Sequence, residues 1–537
     1  MSVPVRTDVL VVGAGLSGAV MARRLAEAGL EVLCLEQGDR HDREDYPGRR
    51  DDWELMAAGP WHPSPNVRRS RADYPIDDAD AAMKPLMFNG VGGSTVLYGG
   101  HWMRFLPSDF RTRTLDGVGD DWPIGYGDLA SYYDRVDAEI GASGLAGDPA
   151  YPARPEYPMP PLPIGPWGER VAAAHHALGW HWWPGSNAIA SRPYDGRRPC
   201  VQRGTCGWGC NEGAKGSADL THWPVAERLG ARLLTVARVT RLTQDAAGRA
   251  DGALWRDREG REHRVRAAAV VVACNAIGTP RLLLASVGDR APDGLANGSG
   301  LVGRRLMMHP FIRVVGLFDT PMESWGGHWG QSLYSMEFAE TRPDAGFVRG
   351  AKWNLTPSGG PMQAALFPWP DEKLWGEAFH RHVRDWLGRS AIWGISCEDL
   401  PDPANQVTLH PTLRDADGLP APRVTYALDE NARRMLAFNV ARAEESLRAA
   451  GAVQVLSQPL MPEFGWHPLG TCRMGTDPAT SVVDEAGRAH DVPNLWIVDG
   501  SVLPTGSCVN PAATIAALAL RSAEMLLAGR RDVRAAT

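Results

Sequence analysis

Residues 9–18 read VLVVGAGLSG, and no other stretch restricts the fold of this chain so strongly. The apolar run from Val9 to Val12 predicts a buried parallel strand. Gly13, Gly15 and Gly18 follow at the spacing that supplies a tight turn, a close backbone approach to a pyrophosphate and close helix–strand packing. Leu16 and Ser17 open a helix predicted over residues 16–28, whose free N-terminal amides and dipole favour the phosphate charge. A second strand over 31–35 ends at Glu36, an acid placed to accept hydrogen bonds from a ribose diol. A glycine turn alone arises easily by chance. Strand, glycines, helix, second strand and acid in this order predict a Rossmann-like unit that binds an adenine dinucleotide.

At 537 residues the chain can bury more than one core. A net charge of −7 argues against nucleic acid or an anionic membrane as a main partner. No apolar run approaches the length of a membrane span, and the first strand begins too near the N-terminus to leave room for a signal peptide. Eight cysteines in a chain this long do not make a disulfide framework. The expectation is a cytoplasmic protein, unless a small accessory subunit escorts it elsewhere.

Residues 39–84 are polar and poor in periodicity, and are expected to leave the first domain, where they are available as a lid. Residues 88–105 (FNGVGGSTVLYGGHWMRF) are Gly-rich and apolar at once, as where backbone must approach a flat ligand. Seven prolines in 151–166 read as a stiff connector. Strands are predicted over 231–242, 253–255 and 264–274. From 311 to 461 the text changes to shorter apolar stretches, tryptophans and turn signals, as for an antiparallel sheet with helical cover. Its clearest helix spans 429–450, with Leu436, Val440 and Leu447 at helical spacing and Asp429 as cap. A strand at 495–498, a turn at 499–500 and a helix over 512–527 return to the first pattern.

The N-terminal fingerprint, GGSTVLYGG at 92–100, HPLGTCRMG at 467–475 and DGSVLPTGSCVNPAATIAALALR at 499–521 together resemble the glucose–methanol–choline oxidoreductases over essentially the whole chain. The resemblance implies FAD rather than NAD, and oxidation of an alcohol by hydride transfer to the flavin. It also implies an α/β fold (α+β overall), in which a Rossmann-like FAD-binding domain is joined to a discontinuous substrate domain built on an antiparallel sheet. The expected division assigns 1–110, 211–310 and 462–537 to FAD, and 111–210 with 311–461 to substrate and connectors.

Such a reaction needs a base near neutrality for the hydroxyl proton, which histidine supplies. His467 matches the family's catalytic histidine. Asn510 matches the second catalytic position, where its amide can donate to the alcohol oxygen and hold it at reacting distance. One histidine among fifteen is ordinarily a core residue; the surrounding motif is what singles out His467. The family's pattern further implies cofactor contacts from Gly93, Ser94, Tyr98, Asp499, Gly500, Pro511 and Ala512, beside Gly13, Gly15, Leu16, Ser17, Gly18 and Glu36. The helix beginning near Ala512 is expected to point its amides at the pyrimidine edge of the flavin. Val239 matches a position whose backbone meets the adenine, and reads equally well as a core strand residue.

Two departures from the family carry information. Leu97 stands where members with covalent FAD have histidine, so FAD is expected to be non-covalent. Tyr98 stands where several oxidases have Asn, and His101 is within reach of the ring region or is structural.

Cys200, Cys206 and Cys210 in CVQRGTCGWGCNEGAK match an iron–sulfur ligand loop of some bacterial sugar dehydrogenases in the family. Three thiolates complete neither a zinc site nor a four-cysteine cluster, and a reduced structural loop is the working expectation. Trp325, Trp329, Trp353, Trp369, Trp375, Trp386 and Trp393 gather in the region expected to hold substrate, and indole faces suit the C–H faces of sugar rings. With a likeness to bacterial sugar and glycoside (pyranose) oxidases and dehydrogenases, this points to a secondary hydroxyl of a sugar or glycoside oxidised to a ketone. Oxygen and another electron acceptor both remain open as oxidant, the latter with or without an iron–sulfur cluster. A non-sugar alcohol is the alternative substrate.

Overall fold

The computed structural model describes residues 6–358, 360–361 and 375–529. Its strands divide between two large sheets according to their burial. The strands over Arg6–Val12 and Val32–Leu35 are buried almost throughout, so they sit inside a parallel layer. That sheet runs Arg232–Leu234, Val32–Leu35, Arg6–Val12, Glu262–Val272, Ala250–Arg256, Arg238–Gln244. The Glu262–Val272 strand is long enough to serve two partners on one edge. Its first half pairs antiparallel with Ala250–Arg256, and Val270–Val272 pair in parallel with Leu495–Ile497. The strand expected over 231–242 is two strands. Val236 takes a positive φ of 52° between them, and the chain leaves the parallel layer to begin the antiparallel flap.

Helix Leu16–Glu27 packs against helix Ala512–Ala528, whose small alanines allow close approach. Helix Tyr126–Ile140 lies on the latter, with the Tyr133 and Thr514 hydroxyls 2.8 Å apart. Leu129, Tyr133, Val136 and Ile140 therefore join the first core, whereas Val171, Ala172 and Ala174 of helix Gly165–Leu178 join the second.

The second sheet is antiparallel, in the order Gln454–Gln458, Phe311–Leu317, Ser390–Cys397, Ala351–Thr356, Leu333–Ser335, Trp183–Pro184. Alternation assigns its faces. Ile312, Val314, Trp353, Leu355, Trp393 and Ile395 form a core beneath helix Glu430–Ala449. Phe311, Arg313, Asn354, Thr356, Ile392 and Gly394 face the first sheet across a cavity. The covering helix starts as expected: the Asp429 side chain accepts from the Ala432 amide at 2.7 Å, a cap worth about 1 kcal/mol.

Two sequence expectations are corrected here. Residues 39–84 are not a merely polar excursion, because Tyr46, Trp61, Tyr74, Ile76 and Met83 are all buried. Tyr74 and Ile76 share a cluster with Val424 and Tyr426, which fixes the segment against the antiparallel pair Gln406–Arg414 and Pro420–Thr425. The tryptophans do not form a stacking platform as a group. Trp353, Trp386 and Trp393 are core, Trp325 and Trp375 face solvent at 60% and 82% exposure, and Trp369 lies outside the described residues. Of the seven, Trp329 lines the cavity. No helix among the described residues is long and apolar enough to cross a membrane.

Candidate active site

Between the sheets lies a cavity of about 570 Å³. One end is walled by Gly13, Gly15, Leu16, Ser17, Glu36 and Val239. Gly93, Ser94 and Tyr98 line its middle, and His467, Asp499, Gly500, Asn510, Pro511 and Ala512 line the other end. Gly18 is the exception among the residues expected to touch cofactor, since it is not on the wall. A Cβ there would stand 2.1 Å from the Gly13 carbonyl oxygen, so its role is to let the helix approach the strand.

Backbone geometry makes the narrow end. Gly13 has a φ of 100°, and a Cβ on it would meet the Ala273 oxygen at 2.5 Å. Gly93 (φ 54°) lies so close that its Cβ would be 2.8 Å from the Gly15 Cα. Glu36 is fixed twice, its carboxylate accepting from the Ala14 amide at 2.8 Å and the Gly38 amide at 2.9 Å. It thus ties the glycine turn to the second strand and keeps lone pairs for a ligand hydroxyl. Asp499 is similarly held, by the Thr279 hydroxyl at 2.5 Å and the Ser501 amide at 2.9 Å.

At the wide end a chain of hydrogen bonds runs through four side chains. His309 Nε2 lies 3.0 Å from the Gly506 carbonyl oxygen. A carbonyl can only accept, so Nε2 carries the proton and Nδ1 of the neutral ring is a lone pair. That Nδ1 faces His467 Nδ1 at 3.0 Å, which makes His467 the donor there and leaves its Nε2 unprotonated. Asn510 Nδ2 donates to His467 Nε2 at 3.2 Å, and Asn510 Oδ1 accepts from Lys352 Nζ at 3.0 Å.

Burial, reinforced by His309, His101 and Lys352, holds His467 well below the ordinary histidine range. Burial likewise pushes His309 down to about 4 and Lys352 down to about 7. At neutral pH His467 is therefore an uncharged ring with a lone pair aimed at the cavity. His309 sits at a φ of 47°, a region costly for a residue with a side chain. Asp399 sustains it by accepting from the Met308 and His309 amides at 2.8 and 3.1 Å.

GMC oxidoreductase family models match residues 7–311 and 401–519. The chain belongs to the GMC oxidoreductases. It is 41% identical over 529 residues to the 2-methyl-1,2-propanediol dehydrogenase of Mycolicibacterium austroafricanum, covering 97% of this chain and 95% of the relative. It is 35% identical over 528 residues to the paromamine 6'-oxidase of Streptomyces fradiae, covering 96% and 90%. The fold is that of the pyridoxine 4-oxidase from Mesorbium loti, with a TM-score of 0.67 at 20% identity over 97% of this chain and 99% of that one.

As a GMC oxidoreductase the chain acts on alcohols, within a family of FAD-binding flavoproteins. The cavity fits such a cofactor. A Cβ on Gly15 would find nothing closer than the Gly93 Cα at 3.9 Å, so the cradle is open on its ligand side. Leu97 is buried on the wall, in contact with an apolar cluster of Tyr46, Trp61 and Phe88, and offers no atom for a covalent link. Tyr98 donates its hydroxyl to the Gly216 oxygen, which turns it away from ligand hydrogen bonding. His101 belongs to the site, its Nδ1 3.3 Å from both Asn510 Oδ1 and Lys352 Nζ.

The cysteine loop is held together by backbone donors. Cys200, Cys206 and Cys210 accept backbone N–H groups of Gln202, Trp329 and Lys215 at 3.3, 3.4 and 3.5 Å. Burial pushes the Cys200 thiol up to about 12 and the Cys206 thiol up to about 11 in the metal-free chain. Among the described residues no group of three or more His, Cys, Asp or Glu is arranged to hold a metal. The loop is tied to the flavin-side backbone by Lys215, whose Nζ donates to the carbonyls of Val96, Tyr98 and Cys206 at 2.7, 2.9 and 2.5 Å.

Sequence reasoning missed His309, Lys352 and the cavity tryptophans Trp208 and Trp466. A lone lysine in the otherwise uncharged AKWNLT run was a visible signal; His309 in MMHP carried none.

Proposed function

We propose that this GMC oxidoreductase oxidises a secondary hydroxyl of a sugar or glycoside to a ketone, with His467 as base and Asn510 positioning the alcohol. The carrying observation is the fixed tautomer of His467, whose Nε2 lone pair lies 3.2 Å from an amide donor inside the cavity. A carbinol hydroxyl facing both, in place of their mutual hydrogen bond, can donate to Nε2 and accept from Asn510 Nδ2, the arrangement proton removal needs. When His467 takes that proton, its Nδ1–H remains bonded to His309, which is in turn held by the Gly506 carbonyl. FAD, when bound, supplies the two-electron acceptor for the hydride leaving the carbinol carbon. The glycine cradle, Glu36 and Asp499 hold FAD, and because of Leu97 they hold it non-covalently. In this reading residues 1–110, 211–310 and 462–537 serve the cofactor, and 111–210 with 311–461 serve the substrate and the connectors.

Sugar recognition is supported by Arg313, Asn354 and Thr356 on the second sheet, and by the indoles of Trp208, Trp329 and Trp466 on the wall. Trp208 and Trp329 stand 5.2 Å apart. A small branched diol is the second reading, favoured by the 41% identity to a 2-methyl-1,2-propanediol dehydrogenase. Anaerobic flavin reduction by glucose, an aryl glycoside, 2-methyl-1,2-propanediol and a short alkanol separates them, and admitting air afterwards tells an oxidase from a dehydrogenase. The expected result is fastest reduction by a sugar. Reduction by the diol alone establishes the second reading, and equal or faster reduction by the alkanol sinks both.

A further inference from the structure

Lys352 is fully buried and lies on the cavity side of the Ala351–Thr356 strand, while Trp353 and Leu355 enter the opposite core. Its ammonium meets three acceptors: Asn510 Oδ1 at 3.0 Å, Asn354 Oδ1 at 3.3 Å and His101 Nδ1 at 3.3 Å. A lysine ammonium has three N–H donors and no acceptor, so this tripod fits the protonated form. All three acceptors are neutral, and among the described residues Lys352 makes no ion pair with a carboxylate. A buried cation without a counter-charge costs stability. Its place beside the reacting centre gives that cost a purpose.

The side-chain amide of Asn510 can present either its oxygen or its NH₂ to His467. Turned the wrong way, Oδ1 would oppose the lone pair of His467 Nε2, and a substrate oxygen would meet an acceptor instead of a donor. We propose that Lys352 is the positioning residue of this site: by donating to Asn510 Oδ1 it fixes the amide with Nδ2 toward His467 and the substrate oxygen, and it places positive charge behind that donor. As negative charge builds on the substrate oxygen, the polarised amide strengthens its hydrogen bond. The inference rests on the reading of His467 and Asn510 as the reacting pair.

The surroundings give it a pH signature. Facing Lys352 are His101 from the 88–105 loop, Cys508 and Asn510 from the C-terminal loop, Asn354 on its own strand and Ser396 opposite it on the neighbouring strand; His467 and His309 lie beyond. Burial holds the three histidines below their ordinary value and raises Cys508, so none of them changes charge between pH 6 and 9. Burial brings Lys352 down to about 7, inside that window. The charged form is the active one, so the limiting rate is highest below the midpoint and falls as pH rises through it.

The test is anaerobic stopped-flow reduction of the FAD-loaded enzyme by its best substrate, from pH 6 to 9, reading limiting rate and substrate Kd separately. Lys352→Met is expected to keep FAD and substrate affinity, to lose about 10- to 100-fold in limiting rate, and to lose the alkaline fall near pH 7. Lys352→Arg is expected to recover part of the rate and move the fall to higher pH. In the Asn510→Ala background Lys352→Met should add nothing, because the lysine acts through that amide. A Lys352→Met enzyme with native rate and native pH profile overturns the inference, and so does a multiplicative loss in the double variant. If Lys352→Met loses FAD or fails to fold, the native enzyme decides: a limiting rate flat across pH 6–9 overturns the inference, a fall near 7 supports it. A harmless Asn510→Ala sinks the underlying reading instead. A crippled Asn510→Ala beside a harmless Lys352→Met sinks only the role of the lysine.

Discussion

The two walls of the cavity are built by opposite means. The first-sheet wall is mostly backbone: glycines brought within van der Waals distance of one another, amides at two helix starts, and Glu36 and Asp499 locked by main-chain donors. The second-sheet wall is made of side chains delivered by strand alternation, with Arg313, Lys352, Asn354 and Thr356 each separated from the next cavity-facing position by a core residue. Backbone walls tolerate few residue types at fixed spacing, whereas a side-chain wall can change its chemistry without changing the fold. In the proposed reading the first therefore holds the cofactor shared by many relatives, and the second selects the substrate. His467 and Asn510 come from loops of the first half; His467 is oriented by His309, at the junction just before the Phe311–Leu317 strand, and Asn510 by Lys352 from the second half.

The comparison can be broken most severely at the first wall. Gly18→Ala places a Cβ 2.1 Å from the Gly13 oxygen, a clash with backbone that has no flexible end to move. Loss of bound FAD and of all turnover is expected, read as flavin absorbance per chain. Full occupancy in that variant contradicts a backbone-defined cradle. At the junction, His467→Ala should retain FAD and lose about 10²–10⁴-fold in anaerobic reduction from base catalysis alone, with misplacement of the alcohol adding to it. His309→Leu removes the acceptor of His467 Nδ1 but no reacting group, so a loss of about 10- to 100-fold with FAD intact is expected. A native rate there means that His309 does not orient the base. Trp208→Ala is the mildest. Stacking on a ring is worth about 0.5–1.5 kcal/mol, so KM for a glycoside should rise about twofold to twelvefold with kcat nearly unchanged and FAD content normal.

The same contrast explains what could be read from the sequence. Gly13, Gly15 and Glu36 were legible because their spacing is local, and His467 and Asn510 because unbroken motifs enclose them. Gly18, read both for close helix–strand packing and as a cofactor contact, serves the packing: its steric neighbour is the glycine turn itself. The strand over 231–242 was not seen to break, because nothing in the ARLLTVARVT text announces the positive φ at Val236. The tryptophans misled because composition does not tell the two faces of a strand apart; Trp353 and Trp393 fall one residue from cavity positions and point into the core. His309 is the deepest omission. It reaches His467 across 158 residues of chain, a pairing that only tertiary structure reveals.

The central claim is that His309, at the junction of the two halves, sets the proton on the His467 ring. ¹⁵N NMR of histidine-labelled, FAD-loaded enzyme tests it directly, with the His467 signals assigned by their loss in His467→Gln. The account predicts a neutral His467 from pH 6 to 9 with the proton on Nδ1 and a lone pair on Nε2. A ring protonated on Nε2, or a charged one at neutral pH, contradicts it.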